Sequence, residues 1–121
     1  MSALVWIAVG LFGGIGALGR FFVDGIVAGR AGRDFPIGTM VVNVSGAALL
    51  GLLVGVGFKG DKLLLAGTAT LGSYTTFSTW MLETQRLVED GEVGLAAANV
   101  LVSLAVGLGA ATLGRFLGAH L

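Results

Sequence analysis

A cluster of hydroxyls and aromatic rings stands inside an apolar stretch. The segment "LGSYTTFSTWMLE", residues 71–83, carries Ser73, Thr75, Thr76, Ser78 and Thr79 among the rings of Tyr74, Phe77 and Trp80. Two more polar pairs lie in apolar surroundings, Thr39 with Asn43 and Asn99 with Ser103, each spaced i,i+4. On a helix that spacing puts both members on one face. All of these groups can donate a hydrogen bond and none is permanently charged. Such a set has two uses. It can join helices across an apolar interface. It can also line a path for a small ion that must exchange its water for protein donors without being held too tightly. The rings favour the second use, because an aromatic edge carries partial positive charge and can meet an anion in the ring plane.

Catalytic chemistry is poorly served. The single histidine is His120, beside the C-terminal residue, and no Ser-His-Asp or metal-ligand spacing occurs. An enzyme is therefore not expected. There is no cysteine, which excludes disulfides and thiolate metal sites. Formal net charge is zero, so nothing points to nucleic acid as a partner.

The elements that must position these residues follow from composition. Of 121 residues, 55% are hydrophobic and 12% charged, with a mean hydropathy of +0.95. Soluble domains carry roughly 25% charged residues, so this surface is expected to face lipid. Residues 3–19, 37–58, 63–82 and 93–114 contain no Asp, Glu, Lys or Arg. Each is near the roughly 17–25 residues that cross a hydrocarbon core as helix. The expected fold is an all-α integral membrane protein: one domain over residues 1–121, with four transmembrane helices at 3–27, 37–58, 63–89 and 93–117. The start "MSALVWIAVG" has no basic leader pattern and is not expected to be a removed signal peptide.

Local features refine this. Gly10/Gly14, Gly51/Gly55 and Gly114/Gly118 are GxxxG pairs, which let helix backbones approach closely in lipid. Arg20 and Asp24 lie i,i+4 and are expected to pair, or Arg20 to reach the headgroups. "GSYTTFST" is a weak helix former, and a break in helix 3 would release carbonyls that could hold a cation. At membrane depth such a break must be buried in protein or line a cavity. Arg20, Arg30, Arg33 and Arg86 fall on one face of the membrane; Lys59, Lys62 and Arg115 fall on the other. So even a distribution gives little orientational bias. A chain inserting both ways can build an antiparallel dimer.

Three motifs, in order along nearly the whole chain, carry a resemblance. "GGIGALGRF" is similar to GGxxGAxxR, "PIGTMVVNVSG" to PxGTxxxNxxG, and "GSYTTFSTWMLE" to GxxTTFSTFxxE. Together they resemble the Fluc (CrcB) family of small dual-topology fluoride channels. The resemblance implies an antiparallel homodimer in the bilayer of a prokaryotic inner (plasma) membrane, with two pores passing fluoride passively out of the cytoplasm. Carried over by motif position, it implies that Asn43, Phe77, Trp80, Ser103, Thr76 and Thr79 line the pore. Gly72 and Thr75 would give backbone carbonyls to a central structural Na+. Arg20 and Glu83 would have vestibule or structural roles. Trp80 departs from the usual Phe, and Asn99 stands where a Tyr is often found. Two rivals are a proton-coupled multidrug exporter of small dual-topology type and a non-conducting membrane subunit. The first needs a carboxylate in helix 1, which residues 3–19 lack; the second has no need of the TTFST donors.

Overall fold

The computed structural model describes residues 1–32 and 34–121; Arg33, one of the basic residues counted above, lies outside the described residues. Helix α1 spans Ala3–Ala31, α2 Ile37–Gly55, α3 Gly60–Leu63, α4 Gly72–Tyr74, α5 Ser78–Glu89 and α6 Val93–Ala119. A π-helical stretch, Leu64–Leu71, joins α3 to α4. No strand occurs among the described residues.

Helix ends follow local chemistry. Ser2 starts α1 by accepting the Val5 N–H on its hydroxyl at 3.2 Å. Gly32, at φ 79°, ends it in the left-handed region. The helix therefore runs four residues past the expected end at Val27, and carries Asp24 and Arg30 within it. Gly57, at φ 97°, turns the chain just beyond α2, so this helix stops at Gly55 although the charge-free run continues to Phe58.

Among the described residues three helices are long and apolar enough to cross a membrane: α1, α2 and α6. The remaining apolar segment, expected over 63–89 as a third helix with a break, is a series of shorter pieces. Its π stretch has a side-chain signature, since the Thr70 hydroxyl donates to the Leu65 carbonyl five residues back, at 2.7 Å. After Tyr74 the backbone of Thr75 is extended (φ −82°, ψ 163°), and helix resumes at Ser78.

The main seam joins α2 to α6. A Cβ built on Gly51 or Gly55 would lie under 3.0 Å from the Ala111 or Arg115 carbonyl; one on Gly114 or Gly118 would meet the Ala48 or Leu52 carbonyl as closely. Contacts advance in the same sense along both helices, so α2 and α6 run parallel. The two GxxxG pairs thus face each other and bring backbone against backbone. Gly10 and Gly14 have no atom within 4 Å of where a Cβ would stand. Gly46 makes room for the Thr75 methyl and the Tyr74 ring, and the Tyr74 hydroxyl shares a hydrogen bond with Ser45 at 2.9 Å. On α1, by contrast, Leu4, Ile7, Leu11, Ile15, Leu18 and Phe21 are all exposed, as suits a lipid-facing surface.

Candidate functional site

A groove of about 550 Å³ runs between α2, the segment from Gly67 to Trp80, and α6. Asn43, Gly72, Thr75, Thr76, Phe77, Trp80 and Ser103 all line it, among Leu50, Leu71, Leu104 and Leu108. Seven of the residues singled out from sequence therefore share one wall system. A second cavity of about 330 Å³ lies beside it, lined by Ala17, Arg20, Phe21, Asp24, Thr39, Val42, Thr76 and Thr79. Thr76 borders both. Glu83 lines neither, but accepts a hydrogen bond from the hydroxyl of Thr39, which is buried against it.

Asn43 fixes the centre of the groove. Its Nδ2 donates to the Thr76 carbonyl at 2.8 Å, and its Oδ1 accepts the Thr76 N–H, also at 2.8 Å. One side-chain amide thus satisfies both backbone groups of a residue that helix cannot serve. The oxygen and one N–H of Asn43 are committed; one N–H remains for the groove. Thr76 in turn accepts the Thr79 N–H on its hydroxyl at 3.1 Å, capping α5.

The same geometry releases carbonyls. In an α-helix the Thr76 N–H would bond to Gly72 four residues back. Because it goes to Asn43, the Gly72 carbonyl has no such partner. The Thr75 carbonyl receives a guanidinium N–H of Arg20 at 3.4 Å. Among the described residues Arg20 makes no hydrogen bond to Asp24, contrary to the expected i,i+4 pair; its half-buried guanidinium bonds the Thr75 carbonyl instead.

The rings and α6 complete the wall. Phe77 is 69% exposed, and its ring meets Trp80 edge to face, centroids 5.8 Å apart at 85°. The Trp80 indole N–H donates to the Asn99 carbonyl at 3.1 Å. Asn99 and Ser103 are both buried, and among the described residues Asn99 Oδ1 and Ser103 Oγ have no hydrogen-bond partner. Sequence reasoning missed Tyr74 with Ser45, and Thr84, whose hydroxyl bonds the Trp80 carbonyl at 2.9 Å. The i,i+4 spacing of Trp80 and Thr84 was a signal for the latter; nothing in the sequence marks the former.

Fold and site together define a multi-pass helical membrane protein whose groove sets uncharged donors and aromatic rings among apolar side chains. Residues 7–115 match the family described as CrcB-like protein, Camphor Resistance (CrcB), and the chain belongs to that family. A protein of Mycolicibacterium paratuberculosis named "Fluoride-specific ion channel FluC 2" is 58% identical over 114 residues, covering 94% of this chain and 93% of its own. Proteins of the same name from Mycobacterium bovis and Mycobacterium tuberculosis are 55% identical over 117 residues, covering 97% of this chain and 93% of theirs.

Proposed function

We propose that this protein is a fluoride-selective channel of a bacterial cell membrane, passing fluoride out of the cytoplasm down its electrochemical gradient and so protecting against its toxicity. The observation that carries the reading is the groove, where Asn43, Thr76, Ser103 and the exposed ring of Phe77 meet on one wall system. Relatives over nearly the full length bear the name of fluoride channels. A small, strongly hydrated anion needs donors that replace water, and neutral donors with ring edges supply them without the grip of a fixed cation. Among the described residues the groove lining contains no carboxylate, while Asp24 of α1 lines the second cavity; the names of the relatives therefore weigh more than this lining against a proton-coupled exporter.

In this reading two copies assemble antiparallel, the even distribution of basic residues allows both orientations, and each copy closes the other's groove. The interruption between α4 and α5 is then the element that turns backbone toward the pathway. A sodium ion on the dimer axis would take the Gly72 and Thr75 carbonyls of both copies. The Gly72 carbonyl, without its helical donor, suits that role; the Thr75 carbonyl is shared with Arg20. The ion would supply a fixed positive charge joining the two copies.

The test is efflux from liposomes holding the purified protein, followed with a fluoride electrode. Rapid fluoride release with little chloride release is expected. Release no faster than from empty liposomes refutes the channel, and leaves the non-conducting subunit.

A further inference from the structure

Trp80 is held by a closed set of hydrogen bonds that involves two residues outside the sites assigned above. Its indole N–H donates to the Asn99 carbonyl at 3.1 Å. The Asn99 amide Nδ2 donates to the Thr84 hydroxyl at 2.9 Å. The Thr84 hydroxyl donates to the Trp80 carbonyl at 2.9 Å. The ring tip is therefore held by the main-chain carbonyl of Asn99, and the Asn99 and Thr84 side chains link that residue back to the Trp80 backbone. Asn99 is 1% exposed, so these bonds form away from competing solvent and lipid.

The ring so fixed is the one against which Phe77 stands edge to face. Within one copy Phe77 has little else to hold it, being 69% exposed. An exposed phenyl ring left to itself samples several rotamers. Its edge direction in the groove thus depends on Trp80, and Trp80 depends on the bonds to Asn99 and Thr84.

We infer that Thr84 and Asn99 are positioning residues of the passage: they lock the Trp80 indole and, through it, aim the edge of Phe77 into the groove. The inference rests on the channel reading. It explains why a tryptophan works at position 80, since a phenylalanine has no N–H for the Asn99 carbonyl.

A coupling experiment tests it. Thr84→Val replaces the hydroxyl with a methyl group of the same shape and removes both of its bonds. With Trp80 present, fluoride efflux is expected to fall about tenfold, the scale of losing one ring-positioning interaction. In a Trp80→Phe background, the same Thr84→Val change is expected to alter efflux less than about twofold, because no indole remains to be positioned. Thr84→Ser, which restores a hydroxyl, should recover efflux in the Trp80 chain. Equal losses in both backgrounds would mean general α5–α6 joining and would overturn the inference. Full activity of Thr84→Val would overturn it as well.

A second measurement needs no change at the site. In a Trp6→Phe protein Trp80 is the sole indole, and the Raman band that reports indole N–H hydrogen bonding should read as bonded. A free indole there overturns the inference even if the Thr84 variants fail to assemble. If the unaltered protein passes no fluoride, the channel reading itself fails. If it passes fluoride and the indole is free, only the positioning claim fails.

Discussion

Asn43 offers a sharp perturbation, because its one amide bonds both backbone groups of Thr76. Asn43→Ser keeps a donor but shortens the side chain by one atom shell, so it cannot span the Thr76 N–H and carbonyl together. Each half-buried backbone group left without a partner costs about 1–3 kcal/mol. The two together put ~2–6 kcal/mol on the Thr76 conformation. If ~2.7 kcal/mol of that reaches the barrier for passage, efflux slows about a hundredfold. Asn43→Asp retains an acceptor for the Thr76 N–H but sets a negative oxygen against the Thr76 carbonyl, and its charge repels an anion in the groove. Both variants are expected to lose most fluoride efflux from liposomes, Asp more than Ser. Gel filtration in detergent reports whether each still assembles. An assembled Asn43→Ser protein with efflux within about twofold of the unaltered chain, under ~0.5 kcal/mol of barrier, would refute the backbone-clamp argument.

Other expectations follow from the same contacts. Phe77→Ile removes a ring edge from an exposed position and should cost little stability, yet lower efflux roughly a hundredfold if ~2.7 kcal/mol of stabilisation is lost; near-normal efflux would make Phe77 a packing residue. Gly51→Ala should lower the melting temperature in detergent, since its Cβ would collide with the Ala111 carbonyl, whereas Gly94→Ala, with open space, should be neutral or gain ~0.5–1 kcal/mol; equal effects would deny the tight α2–α6 seam. Glu83→Ala leaves the buried Thr39 hydroxyl unpartnered, a loss of about 1–3 kcal/mol readable as a lowered melting temperature, and Thr39→Val in the same chain should recover part of it. If the proposed antiparallel homodimer forms, a C-terminal tag should be reachable from both sides of the membrane; uniform orientation in a conducting homodimer would refute the antiparallel arrangement.

Charge-free runs were enough to find α1, α2 and α6, because length and apolarity alone decide what can span lipid. Their ends were less legible. Arg30 read as a loop residue, but charge does not stop a helix; Gly32 at positive φ does. The stretch "LLAGTATL" has nothing in its composition that marks a π-helix, which arises from packing and from the Thr70 hydroxyl reaching five residues back. At the site, residue type and spacing picked out Asn43, Phe77, Trp80 and Ser103, and the groove gathers them. Their partners were hidden, because Asn43 bonds a backbone 33 residues away and Trp80 one 19 residues away. Backbone partners leave no trace in side-chain pattern. The Arg20–Asp24 pair failed for the same reason: the Thr75 carbonyl, invisible in the sequence, takes the guanidinium.

The α2–α6 seam has a consequence for how the protein is made. Its two halves leave the ribosome roughly sixty residues apart, with the whole interrupted segment between them. During that interval α2 has no glycine face to meet, and lipid or the insertion machinery must cover Gly51 and Gly55. The groove is equally unfinished, since Ser103 and the Asn99 carbonyl both belong to the last helix. A premature stop before Val93 would therefore release a chain with an open seam and a missing wall, a substrate for membrane quality control. Supplying α6 as a separate peptide should close both features at once, so rescue by such a fragment would read out seam formation and groove completion as a single late event in biogenesis.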